Sequence, residues 1–485
     1  MRISCLALLL LLGAGCTSSQ GAPGHAAATL LLSPCRLPGV DGRLRCGTLQ
    51  VFEDRAAKTG RKLTLHVAVM PALAPSPAPD PVFILAGGPG QAASDIAPII
   101  AATFTRVNRD RDLVFVDQRG TGLSHKLACE PDATLSLNES LHSDLSKEEM
   151  LRCVKSLEKD ADLGLYTTPL AMDDLDDVRA ALGYQTINLW GGSYGTRAAL
   201  VYARRHPDHL RAMVLDGVAP MSLYLPLDMA RDADRALKLL FADCRAQKSC
   251  DKAWPNLQPR FEALLEKLER TPAQVTLPDP RTGAPTPLTV DRETFVRSLR
   301  GQLYDPTAST LIPLTIDAAT KGDFRPFAAE ASSTDLKLAT GMLLSVVCTE
   351  DLPFTPEPAL EAASKGTFGG MAVAQMFLDG CAHWPRGTLP KGYRDPVHSN
   401  APTLLLSGTL DPVTPPRWAK DAARTLPHSL AVTVPATGHG TLAHACVRKL
   451  IEQFYKKGSV DGLRSPCAED TARPPFLINF AGPPP

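Results

Sequence analysis

The chain of 485 residues carries 51 basic and 51 acidic side chains, so its formal net charge is zero, and 44% of its residues are hydrophobic. That apolar content excludes a disordered chain, and the charge balance lacks the basic field by which nucleic-acid binders hold phosphate, so no nucleic-acid partner is expected. The length allows a large core and more than one domain, and 43 prolines imply rigid loops and sharp helix stops.

Arg2 is followed by an apolar run from Ile3 to Leu12 and then by Gly13-Ala14-Gly15-Cys16. A positive start, a short apolar core and small residues are the pattern of a secretory signal. Spanning a bilayer needs about 20 apolar residues, so the run predicts a signal rather than a transmembrane helix. A cysteine directly after small residues resembles a bacterial lipoprotein processing site, although such sites usually have Leu where this chain has Gly13. Two outcomes stay open: lipidation of Cys16, which would tether the chain to a membrane, or ordinary cleavage nearby and release. Residues 1–16 are therefore expected to direct export, and residues 17–34 to form a flexible tether.

Of twelve cysteines, Cys5 and Cys16 fall in or at the end of that signal, leaving an even ten. An even set suits disulfides in an oxidising compartment. Connectivity does not follow from sequence, but pairing neighbours gives Cys35–Cys46, Cys129–Cys153, Cys244–Cys250, Cys348–Cys381 and Cys446–Cys467. No C-x-x-C or H-E-x-x-H spacing points to a metal site.

Thr64 to Met70 alternates like a strand, and the proline-rich Ala72 to Pro81 reads as an exposed connection. Short apolar runs follow, each closed by Gly, Asp, Ser or Pro: Val82–Leu85, Leu113–Val116, Ile187–Trp190, Ala212–Leu215, Thr403–Leu406 and Leu430–Val434. Continuous β-rich runs suit strands buried on both faces of a parallel sheet. Between them, Leu170 to Leu182 and Thr196 to Arg205 have helical patterns, the latter stopped before Pro207. Alternating strands and helices predict an α/β class with a mostly parallel sheet. From 221 to 398 the strand series is interrupted by helical patterns such as Leu227–Cys244, Phe261–Leu268, Phe295–Leu303 and Leu336–Val347, with a small hairpin expected within Val275–Val290. The expected organisation is a core over 35–220 and 399–485, carrying a large helical cap over 221–398.

Gly191-Gly192-Ser193-Tyr194-Gly195 matches G-x-S-x-G between an apolar strand and a helix, the context a nucleophile elbow requires. A serine hydroxyl needs a general base, and in such folds the chain order is Ser, acid, His. Asp411 stands just beyond the strand ending near Leu406, and His439 just beyond the strand ending near Val434, where active sites of open α/β sheets are built. His444 is the nearest competitor to His439. The oxyanion formed in acyl transfer would be met by the backbone N–H of Tyr194 and by that of Gly88 in Ala86-Gly87-Gly88-Pro89-Gly90, since Pro89 has none. Together these elements predict an α/β-hydrolase fold.

Gly87-Gly88-Pro89-Gly90, Asp117-Gln118-Arg119-Gly120-Thr121-Gly122-Leu123-Ser124 and Gly192-Ser193-Tyr194-Gly195-Thr196 appear in the order seen in proline iminopeptidases. With the motifs around Asp411 and His439 and the large insertion, the chain more closely resembles the exported tripeptidyl aminopeptidases, over roughly residues 35–470. Ala86 departs from the pattern, since the iminopeptidases usually have His there. The resemblance implies a serine exopeptidase acting on peptides with a free N-terminus, without a metal or organic cofactor. A substrate ammonium calls for carboxylate partners, and Glu350 and Asp351 are the expected anchor; the plainer reading makes them a solvated acidic pair or a helix-end cap. Arg119 is expected to bridge loops rather than act in catalysis. A carboxylesterase or lipase-like hydrolase with the same triad is the alternative, because fold and triad do not set the leaving group. A non-catalytic envelope binding protein is the third.

Overall fold

The computed structural model describes residues 29–129, 136–142, 147–279, 282–331, 338–465, 467 and 472–479. The expected signal, Cys16 and most of the expected tether lie outside these residues.

The apolar runs are strands of one sheet. In chain order these are β1 Ser33–Cys35, β2 Leu44–Phe52, β3 Lys62–Met70, β4 Val82–Leu85, β5 Leu113–Val116, β6 Ile187–Gly192 and β7 Leu210–Asp216. After a hairpin of β8 Ala273–Pro278 and β9 Pro285–Val290, the sheet resumes with β10 Thr403–Gly408 and β11 Ser429–Val434. Its order is β1-β2-β3-β5-β4-β6-β7-β10-β11. The pairs from β5 to β11 are parallel, and β1, β2 and β3 join one edge antiparallel. The chain steps from β4 to β5 on one side and returns to β6 on the other. The carboxyl ends of β4 and β6 therefore flank a topological switch point, where ligands of open α/β sheets bind.

β4 is buried at every position, with Phe83 and Leu85 in the apolar layer on one face and Val82 and Ile84 in that on the other. Two faces buried at once explain why the strand lacks polar alternation. The first face is covered by the helices Thr168–Ala181 and Tyr194–Arg205, the second by Ala93–Thr103 and Ala445–Lys457. Each large apolar side chain buried this way contributes about 1.5–3 kcal/mol relative to exposure. β1 and β2 were not legible: Ser33 and Pro34, expected in the tether, pair with Cys46 and Arg45 of β2. Edge strands with one wet face carry too few apolar residues to signal themselves.

The insertion between β7 and β10 divides in two. Helices from Met229 to Ala331 and the β8–β9 hairpin enclose a separate core containing Leu240, Phe261, Phe295, Ile312 and Phe327. The later helices Thr340–Glu350 and Ala372–Cys381, by contrast, bury Met342, Val346 and Phe377 in the layer beneath the sheet, with Leu175 and Tyr202. The expected cap over 221–398 is thus part cap and part main core. The C-terminal stretch returns to the cap: Phe476 joins its core, and Arg473 donates to Asp243 and Ser309. All five cysteine pairs expected from proximity are disulfides. Among the described residues no helix is long and apolar enough to cross a membrane.

Candidate active site

β6 delivers Ser193 to the switch point, and the helix Tyr194–Arg205 starts directly after it. Ser193 has φ 54° and ψ −121°, a left-handed conformation that a serine adopts only in a tightly held turn. Two glycines make room for it. A Cβ on Gly195 would stand 2.1 Å from the Leu85 carbonyl oxygen, and one on Gly191 would stand 2.3 Å from that of Gly195. The turn is tied down by its backbone: Ser193 N–H donates to the Asp216 carbonyl at 2.9 Å, and Thr196 returns both N–H and hydroxyl to the Ser193 carbonyl.

Gly88 follows β4 with φ 106°, and a Cβ at its neighbour Gly87 would lie 3.3 Å from Ser193 Cβ. The Gly-rich loop therefore passes alongside Ser193. Among the described residues neither Gly88 N–H nor Tyr194 N–H has a protein acceptor, which leaves both donors for a developing oxyanion.

Asp411 and His439 come together from the loops after β10 and β11. Asp411 is fully buried, and its Oδ2 accepts from His439 Nδ1 at 2.9 Å and from Thr414 Oγ1 at 2.7 Å. Its Oδ1 accepts the N–H groups of Val413 and Thr414, each at 2.8 Å. Burial pushes this carboxyl up, but the His439 charge and these bonds outweigh it and hold it below the ordinary value. For His439, burial pushes down, while Asp411 by charge and hydrogen bond, with Asp216 adding, lifts the imidazole above its ordinary value. With Nδ1 engaged by the acid, Nε2 is the nitrogen that can take the serine proton.

The cap completes this arrangement. The Tyr304 carbonyl accepts His439 N–H at 2.8 Å, and its ring meets the imidazole edge-on at 5.1 Å. Arg235, on the cap helix Met229–Ala246, donates to the carbonyls of Thr409 and Asp411 at 2.9 and 2.7 Å. Sequence reasoning missed the roles of Thr414, Tyr304 and Arg235. Thr414, three residues after Asp411, carried a usable signal; the other two are far from the motifs in the chain. His444 is apart from this site and bonds Thr437 at 2.8 Å.

Glu350 and Asp351 need a correction. Both are fully buried and matched to protein donors, so neither is open to a substrate ammonium or to solvent. Glu350 accepts the N–H of Thr168 at 2.6 Å, its hydroxyl at 2.8 Å, and the Tyr393 hydroxyl. Since Thr168 gives its proton to Glu350, Tyr194 OH donates to Thr168 Oγ1, at 2.6 Å, which fixes the Tyr194 side chain. Burial raises the Glu350 carboxyl, and its donors offset this only in part. Asp351 holds Arg197 through both oxygens at 3.0 and 2.8 Å and Arg394 at 3.2 Å. Both arginines also donate to the Leu223 carbonyl, where the chain leaves the core for the cap. Removing one partner of a buried ion pair typically costs about 3–5 kcal/mol. Asp351→Asn is therefore expected to destabilise the fold by about that amount, read as a lower urea midpoint.

Arg119 is buried and structural, as expected: it donates twice to Asp174 and once each to the Glu53 and Leu165 carbonyls. The structure also gathers Asp176, His206 and His209, whose ligand-type atoms lie within 4.8 Å of one another. Arg179 and Tyr202 already donate to that carboxylate.

Two family models match the chain: one described as the alpha/beta hydrolase fold over residues 80–249, and one described as TAP-like protein over residues 366–467. The first spans Gly88 and Ser193, the second Asp411 and His439. The chain is 25% identical to "Serine protease Hip1" of Mycobacterium tuberculosis over 489 residues, covering 90% of each chain. It is 28% identical to a tripeptidyl aminopeptidase of Streptomyces lividans over 189 residues, 36% of this chain and 35% of that one. Over 139 residues, 29% of this chain and 33% of the relative, it is 31% identical to a probable proline iminopeptidase of Streptomyces coelicolor.

Proposed function

We propose that this chain, which belongs to the α/β-hydrolase serine peptidases related to tripeptidyl aminopeptidases and proline iminopeptidases, is an exopeptidase that cleaves short peptides from a free N-terminus. The observation that carries the reading is Ser193 at the switch point, the Gly88 and Tyr194 N–H groups without a protein acceptor among the described residues, and, on the loops after β10 and β11, a His439 imidazole paired with buried Asp411.

In this reading His439 Nε2 takes the Ser193 proton as Oγ bonds to the substrate carbonyl carbon. The negative oxygen is met by the N–H groups of Gly88 and Tyr194. His439 then passes the proton to the departing amine as the C–N bond breaks, leaving an ester on Ser193. Water, deprotonated by the same imidazole, cleaves that ester and restores the serine. No step needs a metal or an organic cofactor.

An esterase reading has one specific support: Glu350 and Asp351, the carboxylates expected to hold an ammonium, are matched inside the protein. Three substrates separate the two readings: a tripeptide amide with a free N-terminus, its N-acetylated twin and a short-chain aryl ester. The expected result is cleavage of the free peptide and not of the blocked one. Ester cleavage with both peptides untouched would overturn the exopeptidase reading. A protein that only binds would react with none of them. We place the enzyme outside the cytoplasm, in the bacterial envelope through Cys16 or released; five disulfides support an oxidising compartment.

A further inference from the structure

Asp216 is a carboxylate beside the triad that the serine mechanism does not require. It ends β7, is 2% exposed, and among the described residues has no cation within ion-pair distance. Its backbone carbonyl accepts Ser193 N–H at 2.9 Å. Its side-chain oxygens accept the N–H of Thr441, two residues after His439, at 3.0 and 3.1 Å. One residue thus ties the nucleophile turn to the histidine loop. The next residue, Gly217, runs directly under the imidazole: a Cβ there would stand 3.3 Å from His439 Cε1 and 3.0 Å from Thr414 Oγ1. Its φ of 73° lets the chain turn away at that point.

A buried carboxylate without a cation is costly, and a simple loop tie could be made by a neutral acceptor. The charge therefore invites a reason, and the group that becomes positive nearby is His439. We infer that Asp216 is a positioning residue, a second carboxylate that holds the histidine loop against the nucleophile turn and steadies the imidazolium formed during proton transfer. The charges around that imidazole support this. Asp411 reaches it from the loop after β10 and Asp216 from the end of β7, both favouring the cation. Arg300, which donates to Tyr304 on the cap, opposes it. Burial, with the Asp411 charge adding, raises the Asp216 carboxyl to about 6, the Thr441 bonds and His439 offsetting it only in part.

The inference rests on the triad and not on the exopeptidase reading, so aryl-ester hydrolysis can test it even if no peptide is cleaved. The measurement is kcat/KM against pH for wild type, Asp216→Asn and Asp216→Leu, with thermal melting as a check on folding. Asn keeps an oxygen for Thr441 N–H but removes the charge. The expected result for Asp216→Asn is an acid limb displaced to lower pH and a plateau lowered by roughly tenfold, the equivalent of one pKa unit of lost cation stabilisation. Asp216→Leu, which also unties the loop, should lose more. Should Asp216→Leu fail to fold, the Asn variant alone decides. An Asn profile with an unmoved acid limb, whatever its plateau, would overturn the electrostatic role and leave Asp216 as a loop tie.

Discussion

Ser193→Ala is expected to abolish turnover, lowering kcat by roughly 10⁶, while the protein stays folded. The loss is expected to be near-total because the proposed mechanism forms the acyl-enzyme on the Ser193 hydroxyl. The residue left behind could only polarise a carbonyl through Gly88 and Tyr194, and catalysis from such donors alone is about 10³–10⁴ over water. Folding survives because the turn is held by the Ser193 N–H and carbonyl, bonded to Asp216 and Thr196, and not by its hydroxyl. Alanine keeps both and leaves the Cβ in its place beside Gly87. The test is ester and peptide turnover alongside the melting temperature and labelling by a phosphonate. An unlabelled, folded, inactive variant is expected; activity within tenfold of wild type would refute Ser193 as the nucleophile.

Asp411→Asn is expected to lower kcat by roughly 10⁴, by analogy with other triads. The geometry gives the reason. Oδ1 takes two backbone N–H groups, so an asparagine oxygen settles there and the amide nitrogen faces His439. That nitrogen donates, and two donors cannot face each other. The imidazole must then carry its proton on Nε2, the position that should receive one from Ser193. In the wild type the acid limb of kcat/KM should lie above the ordinary histidine value of about 6.5, because His439 must be neutral to act and its pKa is raised. A near-normal rate for the Asn variant would point to another acid, Asp216 being the one whose charge also acts on His439.

Much of the hydrolase core was legible. Val82–Leu85 and Leu113–Val116 announced strands because a strand buried on both faces needs a continuous apolar run. Ser193 was legible because its turn requires Gly191 and Gly195 at fixed offsets in the chain. Asp411 and His439 each sit just past such a run, so their place at the sheet end followed from the runs. The cysteine pairs were readable because each joins neighbours, from Cys244–Cys250 at 6 residues apart to Cys348–Cys381 at 33.

The insertion was read less well. Thr340–Glu350 is apolar on nearly every side and buried almost throughout, which marks an interior helix without saying what surrounds it. That helix belongs under the sheet, whereas Arg292–Gln302, charged on one side and apolar on the other, belongs to the cap. Glu350 and Asp351 were misjudged for the same kind of reason: an acidic pair beside a cysteine has one sequence whether it faces a cleft or an arginine.

By itself, then, the sequence determined the parallel strands of the sheet and the places of Ser193, Asp411 and His439 at their ends, written in local patterns of apolarity and glycine spacing, while the disulfides matched a pairing of neighbouring cysteines that it did not dictate. Only the tertiary structure decided what each remaining charge does. A carboxylate's role depends on the donors that surround it, and here those donors arrive from distant parts of the chain: Arg197 to Asp351, Thr168 to Glu350 and Thr441 to Asp216.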